Sequence, residues 1–206
     1  MTIRHFVEGD GFLRSLGHAY IPHPVNVKSA KRLEVLKEAV PRVARAGVVL
    51  NPDNPATRAL FDALLPAARS LKMRLQRFEA RGPAEFDGAL AAMAAARMDA
   101  FALVEDPMFF GSLRVMADAA VRLKLPSIGF NEFAEGGGML GYGVDFLELW
   151  RRAAYFVDRI LKGAKSADLP IERPTKFELV INLKTAKALG LKIPPALLTR
   201  SDRAIE

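Results

Sequence analysis

Three short polar stretches carry the side chains of this sequence best suited to holding a small molecule. Asn51-Pro52-Asp53-Asn54-Pro55 follows the apolar run AGVVL, and Glu105-Asp106-Pro107-Met108-Phe109-Phe110-Gly111 follows AFALV. Asn131-Glu132-Phe133 follows PSIGF. Amides and carboxylates beside aromatic rings can hold a ligand's charged ends and cover its apolar body. Each stretch also has a plain structural use. Asn51 to Pro55 serves equally well as a turn and helix cap. Glu105 and Asp106 could receive a ligand ammonium, but Asp106 before Pro107 is also an ordinary turn former. Met108, Phe109 and Phe110 are large apolar side chains in a row, and at least one of them is expected to face a pocket. Glu132 beside Phe130 and Phe133 repeats the pairing of an acid with aromatics.

Catalytic constellations are missing. The histidines, His5, His18 and His23, all precede residue 28, so a Ser-His-Asp arrangement would have to recruit one from there. They show no metal-ligand spacing, and the absence of cysteine removes thiolate nucleophiles, thiolate metal sites and disulfides. Nothing specific supports Glu105, Asp106 and Glu132 as a carboxylate set for hydrolysis or metal binding. Gly136 to Gly141 spells G-x-G-x-x-G. These glycines precede a strand-like MLGYGV instead of opening a helix, so a dinucleotide site is rejected. They fit better as a crossover or hinge between lobes. The expectation is a protein that is not an enzyme, with no cofactor and no metal.

The elements that must position these loops follow from periodicity. At 206 residues and 50% hydrophobic, the chain can bury a proper core. Ser29 can cap a helix with Leu33, Leu36 and Val40 on one stripe, ended by Pro41. Strands are expected at Ala46 to Leu50, Met73 to Phe78, Ala100 to Val104, Pro126 to Phe130 and Met139 to Val144. Helices are expected at about 56–71, 83–97, 112–123 and 146–161. This alternation predicts an α/β fold, a parallel sheet flanked by helices on both faces. Apolar strands such as AGVVL and AFALV are what a doubly covered sheet requires. In such a sheet the three polar stretches meet beyond the carboxyl ends of the strands. Phe177 to Ile181 reads as a further strand, Asn182 as a helix cap and Gly190 as the glycine that ends that helix.

Charge and hydropathy narrow the partners. The net charge of +7 comes from scattered bases: Arg58, Arg69, Lys72, Arg74, Arg77, Arg97, Arg114, Arg122 and Lys124. They form no run, so solvated helix faces are expected and no nucleic acid partner. No apolar run approaches the roughly 20 residues of a membrane span. The first 20 residues lack a secretory h-region, so the chain as written would stay in the cytoplasm.

The blocks KRLEVLKEAVP, VVLNPDNP, RGPAEFDGAL, DPMFF and PTKFELVINLKTAKALGLKIPPALL together resemble a family of ABC transporter substrate-binding proteins, some of which bind tryptophan or tyrosine. The resemblance runs from about Val27 to the C-terminus. It implies one lobe of a type I periplasmic-binding-protein fold, with a C-terminal crossover helix, short strand and helix. On this basis the chain divides into an irregular segment 1–27, an α/β lobe 28–145 corresponding to the second lobe, and a crossover helix with strand-helix tail 146–206. The implied function is the solute-binding component of an ABC importer. It would clamp a small organic solute, an amino acid with aromatics favoured, between two lobes, the first of which is missing here. With the strand-end placements, the resemblance implies a ligand wall of Asn51, Asp53, Asn54, Glu105, Asp106, Phe109, Phe130, Asn131 and Tyr142. Implied partners are ABC permease subunits and a homodimer through the surface left by the missing lobe, and the implied location is periplasmic. The alternative is a ligand-sensing or degenerate cytoplasmic α/β domain without a transport role.

Overall fold

The computed structural model describes residues 25–170, 172 and 176–206. Of the segment 1–27, residues 1–24 lie outside that range. Val25 to Val27, placed in the irregular segment by the sequence, are helical, because helix α1 spans Val25–Ala39. Ser29, expected as the cap, therefore lies inside the helix.

The chain forms two compact units. The larger takes in Val25–Gly143 and Phe177–Glu206, and the smaller includes Val144–Lys176. The tail read as 146–206 is thus divided, with its last part returning to the sheet of the larger unit.

That sheet holds β1 (Arg45–Leu50), β2 (Arg74–Glu79), β3 (Ala100–Leu103), β4 (Ser127–Gly129), β5 (Leu140–Gly143), β6 (Glu178–Asn182) and β7 (Arg203–Ile205). Their order is β2-β1-β3-β4-β5-β6-β7. From β2 to β5 the pairing is parallel. β6 runs antiparallel to β5, with Leu140 opposite Ile181 and Gly143 opposite Glu178, and β7 runs parallel to β6. The sheet is mostly parallel, as expected from the sequence, with one antiparallel pairing where β6 meets β5. An antiparallel strand joined to an otherwise parallel α/β sheet is a common arrangement.

The helices of the larger unit are α1, α2 (Pro55–Ser70), α3 (Pro83–Ala95), α4 (Pro107–Phe110), α5 (Leu113–Arg122), α6 (Asn131–Glu135), α8 (Leu183–Ala188) and α9 (Pro195–Thr199); α7 (Phe146–Leu161) belongs to the smaller. Local chemistry sets their limits. Asn54 caps α2 by accepting from the Ala56 amide, and Pro55 supplies a preset first turn. Asn182 caps α8 through the Thr185 amide, and Gly190, at φ +68°, follows its end. β1 and β3 are buried almost throughout, as strands covered on both faces must be.

The glycine run is a tight turn within one unit, not a hinge. Gly137, at φ +112°, closes the turn between α6 and β5. A Cβ on Gly138 would stand 2.2 Å from the Phe133 ring. Phe133 is fully buried and packs edge-on against Phe101 at 5.7 Å. Its ring cannot retreat into a packed core.

In the smaller unit, Asp145 caps α7 through the Glu148 amide at 3.1 Å. Leu147, Trp150, Val157 and Leu161 of α7 are all more than half exposed.

Gly138→Ala is expected to destabilise the fold by about 1–3 kcal/mol through overpacking at Phe133, read as a lowered midpoint in urea unfolding.

Candidate functional site

The carboxyl ends of β1, β3, β4 and β5 lie side by side and gather the loops singled out by composition. They are joined by a buried arginine. Arg32 of α1 is 2% exposed; its Nε donates to the Tyr142 carbonyl oxygen and its Nη2 to Glu105 Oε1, both at 2.7 Å. One side chain thus ties α1 to the ends of β3 and β5. Arg32 Nη1 is buried and donates to no protein atom among the described residues. The guanidinium also lies 6.0 Å from the Phe130 ring centre, at the outer reach of a cation–π contact.

Sequence reasoning missed Arg32, although a signal was present. Arg32 precedes Val35 by three residues and Leu36 by four, so a charged residue occupies the stripe that faces the core. Charge on such a stripe needs a partner, and Glu105 is that partner.

A second bridge links the loops after β1 and β3. Asn54 Nδ2 donates to Asp106 Oδ2 at 2.8 Å, while Asp106 Oδ1 accepts from the Met108 amide at 2.8 Å. Asp106 is 2% exposed and caps α4. The same side chains that cap the helices therefore lock the two loops together. Asn51 shapes its own turn, its Oδ1 accepting from the Asp53 amide and its carbonyl from Thr57 Oγ1.

The third contribution comes from β4 and β5. Asn131 is buried and directs Nδ2 toward the Gly143 carbonyl at 3.5 Å. Gly143 leaves the space that a Cβ would take, 3.4 Å from Arg32 Nη2 and 3.7 Å from Asn131 Oδ1.

Among the aromatics, Phe109 lies wholly in the core against Phe86, with ring centres 5.7 Å apart. Phe110 is the one that reaches the surface, 40% exposed and stacked on the buried Phe130 at 4.7 Å. The stretch Pro107–Phe110 is a single helical turn and not a loop, which sends adjacent side chains in different directions. Asp53 points away from these groups toward Arg81, at 3.9 Å with both side chains exposed. Tyr142 stacks on Phe177, with ring centres 6.0 Å apart. Partial burial raises its phenol above the ordinary value, opposed by the nearby Lys31 and Arg32 charges. Among the described residues no group of three or more histidines and acids gathers to hold a metal ion. No helix among them is long and apolar enough to cross a membrane.

A mostly parallel α/β sheet with polar and aromatic groups gathered at its carboxyl edge is the architecture of periplasmic-binding-protein-like lobes. The chain matches the family model of the ABC transporter substrate binding protein over residues 26–205, and it belongs to that family. It is similar to a tyrosine-binding protein of Clostridioides difficile (strain R20291), 23% identical over 163 residues, covering 79% of this chain and 47% of that protein. A conserved domain protein from Vibrio cholerae O1 biovar El Tor str. N16961 superposes with a TM-score of 0.78 at 28% identity, covering 88% of this chain and 60% of the other. An ABC domain from Streptococcus pneumonia in complex with L-Trp shares the fold, with a TM-score of 0.78 at 21% identity over 86% of this chain and 62% of that one. The chain thus spans about half to three fifths of the length of these relatives.

Replacing Arg32 by Met is expected to cost about 3 kcal/mol, because it removes one member of a buried ion pair and the donor to the Tyr142 carbonyl. The double variant Arg32→Met/Glu105→Leu should recover part of that loss, and a double-mutant cycle in denaturant measures the coupling. The raised Tyr142 phenol favours the folded state only while it is protonated. Stability is therefore expected to fall above about pH 10, less steeply in Tyr142→Phe; thermal melts of both proteins from pH 9 to 11 check this.

Proposed function

We propose that this chain is the solute-binding lobe of an ABC importer and takes a small organic molecule with an amino group and an aromatic or similarly apolar body. The observation that carries the reading is the convergence, at four adjacent strand ends, of Asn54 with Asp106, Glu105 with Arg32, Asn131, and the stacked pair Phe110 and Phe130. Carboxylates held by capping and ion-pair contacts are fixed in place, as a receptor for an ammonium must be. Phe110 presents an exposed ring with a rigid backing, suited to covering an aromatic side chain. It takes the role expected of Phe109. Asn51, Asn54, Glu105, Asp106 and Asn131 remain on the proposed wall. Asp53 and Tyr142 stand at its margins, and Arg32 is a positioning residue. This role is binding and release, with no bond made or broken, and the receiving partner is an ABC permease at the outer face of the membrane.

The tyrosine-binding relative and the L-Trp complex supply the first ligands to try. Calorimetric titration with L-tyrosine, L-tryptophan and their decarboxylated and deaminated analogues tests the reading. Binding is expected to need the amino group. Phe110→Ala is expected to weaken it about tenfold, the worth of one aromatic contact. Equal binding of the deaminated acids, or no change in Phe110→Ala, would reject the assignment. The exposed α7 row supports self-association as a second partner, and Trp150→Ser should then reduce a concentration-dependent dimer in sedimentation velocity.

A further inference from the structure

Four of the bases that look scattered along the sequence gather, with Arg42 and Arg45, at the amino-end edge of the sheet, opposite the proposed solute wall. Arg42 and Arg45 stand at the amino end of β1, and Lys72 and Arg74 at that of β2. Arg97 precedes β3 and Lys124 precedes β4. All six are exposed, and among the described residues none is in an ion pair. The strands are neighbours in the order β2-β1-β3-β4, so the row extends about 15 Å across three strand spacings. Asp99 is the acid at this edge, and its Oδ2 is already engaged by the amides of Ala44 and Arg45.

Two features make the row more than a by-product of helix ends. Lys72, Arg97 and Lys124 have φ of 56°, 53° and 54°, the left-handed position that closes a helix and favours glycine. At the ends of α7 and α8 the same position is held by Gly163 and Gly190. A cation there is helped by the helix dipole, which explains why it is tolerated. It does not explain Arg45 and Arg74, which sit in register on adjacent strands with like charges side by side.

We infer that this edge is an electrostatic landing surface for anionic phospholipid. No aromatic residue lies among 40–45, 69–74, 95–100 or 122–127, so the stacking platform of a single-stranded nucleic acid binder is lacking. None of the large exposed apolar side chains lies in these segments either. Contact would therefore be by charge alone, without insertion. The choice of lipid over an acidic protein rests on the reading of the chain as part of a membrane transporter. Contact through this edge would confine the chain's diffusion to the membrane plane, where a permease lies.

Flotation of the 206-residue chain with vesicles of phosphatidylglycerol and phosphatidylcholine tests the inference. Binding is expected to rise with the phosphatidylglycerol fraction and to vanish in pure phosphatidylcholine and at high salt. The triple variant Lys72→Gln/Arg97→Gln/Lys124→Gln should lose about fivefold in partition per charge removed. The triple variant Arg58→Gln/Arg114→Gln/Arg159→Gln has the same net charge and should retain wild-type binding. Equal loss in both variants would show diffuse attraction and overturn the proposal. So would the absence of binding, or tighter binding to a DNA fragment or an acidic peptide than to vesicles at matched salt. Solute titration of the same variants separates the two readings. Vesicle binding without amino acid binding would sink the solute assignment alone, and the reverse would sink this one alone.

Discussion

The buried ion pair of Arg32 with Glu105 is the constraint around which the larger unit is arranged. A guanidinium that is 2% exposed must spend its donors inside the protein. It does so on the Tyr142 carbonyl of β5 and on the carboxylate of Glu105, just past β3, two strands separated in the sheet by β4. Helix α1 is thereby held against both, and the intervening strand end with Phe130 and Asn131 is trapped between them.

Capping chemistry then does at the neighbouring strand ends what the ion pair does here. Asn54 starts α2 and reaches Asp106, which itself starts α4. Two helix starts and one inter-loop bridge are made from two side chains. This economy has a structural cost, since neither side chain can change without loosening both a helix terminus and the contact between loops. Side chains tied down in this way need less ordering to receive a ligand, which is what the proposed binding role calls for.

Much of the fold was legible because its signals are local. AGVVL and AFALV are too short and too apolar to be surface helices, and Asn54, Asn182 and Gly190 punctuate helices as their chemistry dictates. The antiparallel return of β6 was not legible. Pairing direction is settled by where a distant segment docks, and the run Phe177 to Ile181 is equally apolar either way up. The site was legible as a set of loops but not as a set of side chains. Phe109 and Phe110 are identical in type and adjacent in sequence. Only the helical turn started by Asp106 decides that the first is core and the second is surface. Arg32 was overlooked because it lies far along the chain from the loops it serves.

The antiparallel pairing of β5 with β6 has a consequence for the order of events during synthesis. The larger unit is discontinuous, and Leu140 meets Ile181 only after the whole of Val144–Lys176 has been made. Until then β5 is an open edge of hydrogen-bonding groups backed by apolar side chains, the kind of edge that recruits other chains. The segment Phe177–Glu206 is therefore what closes this border, so the sheet of the larger unit is completed only by a part of the chain distant in sequence from β5.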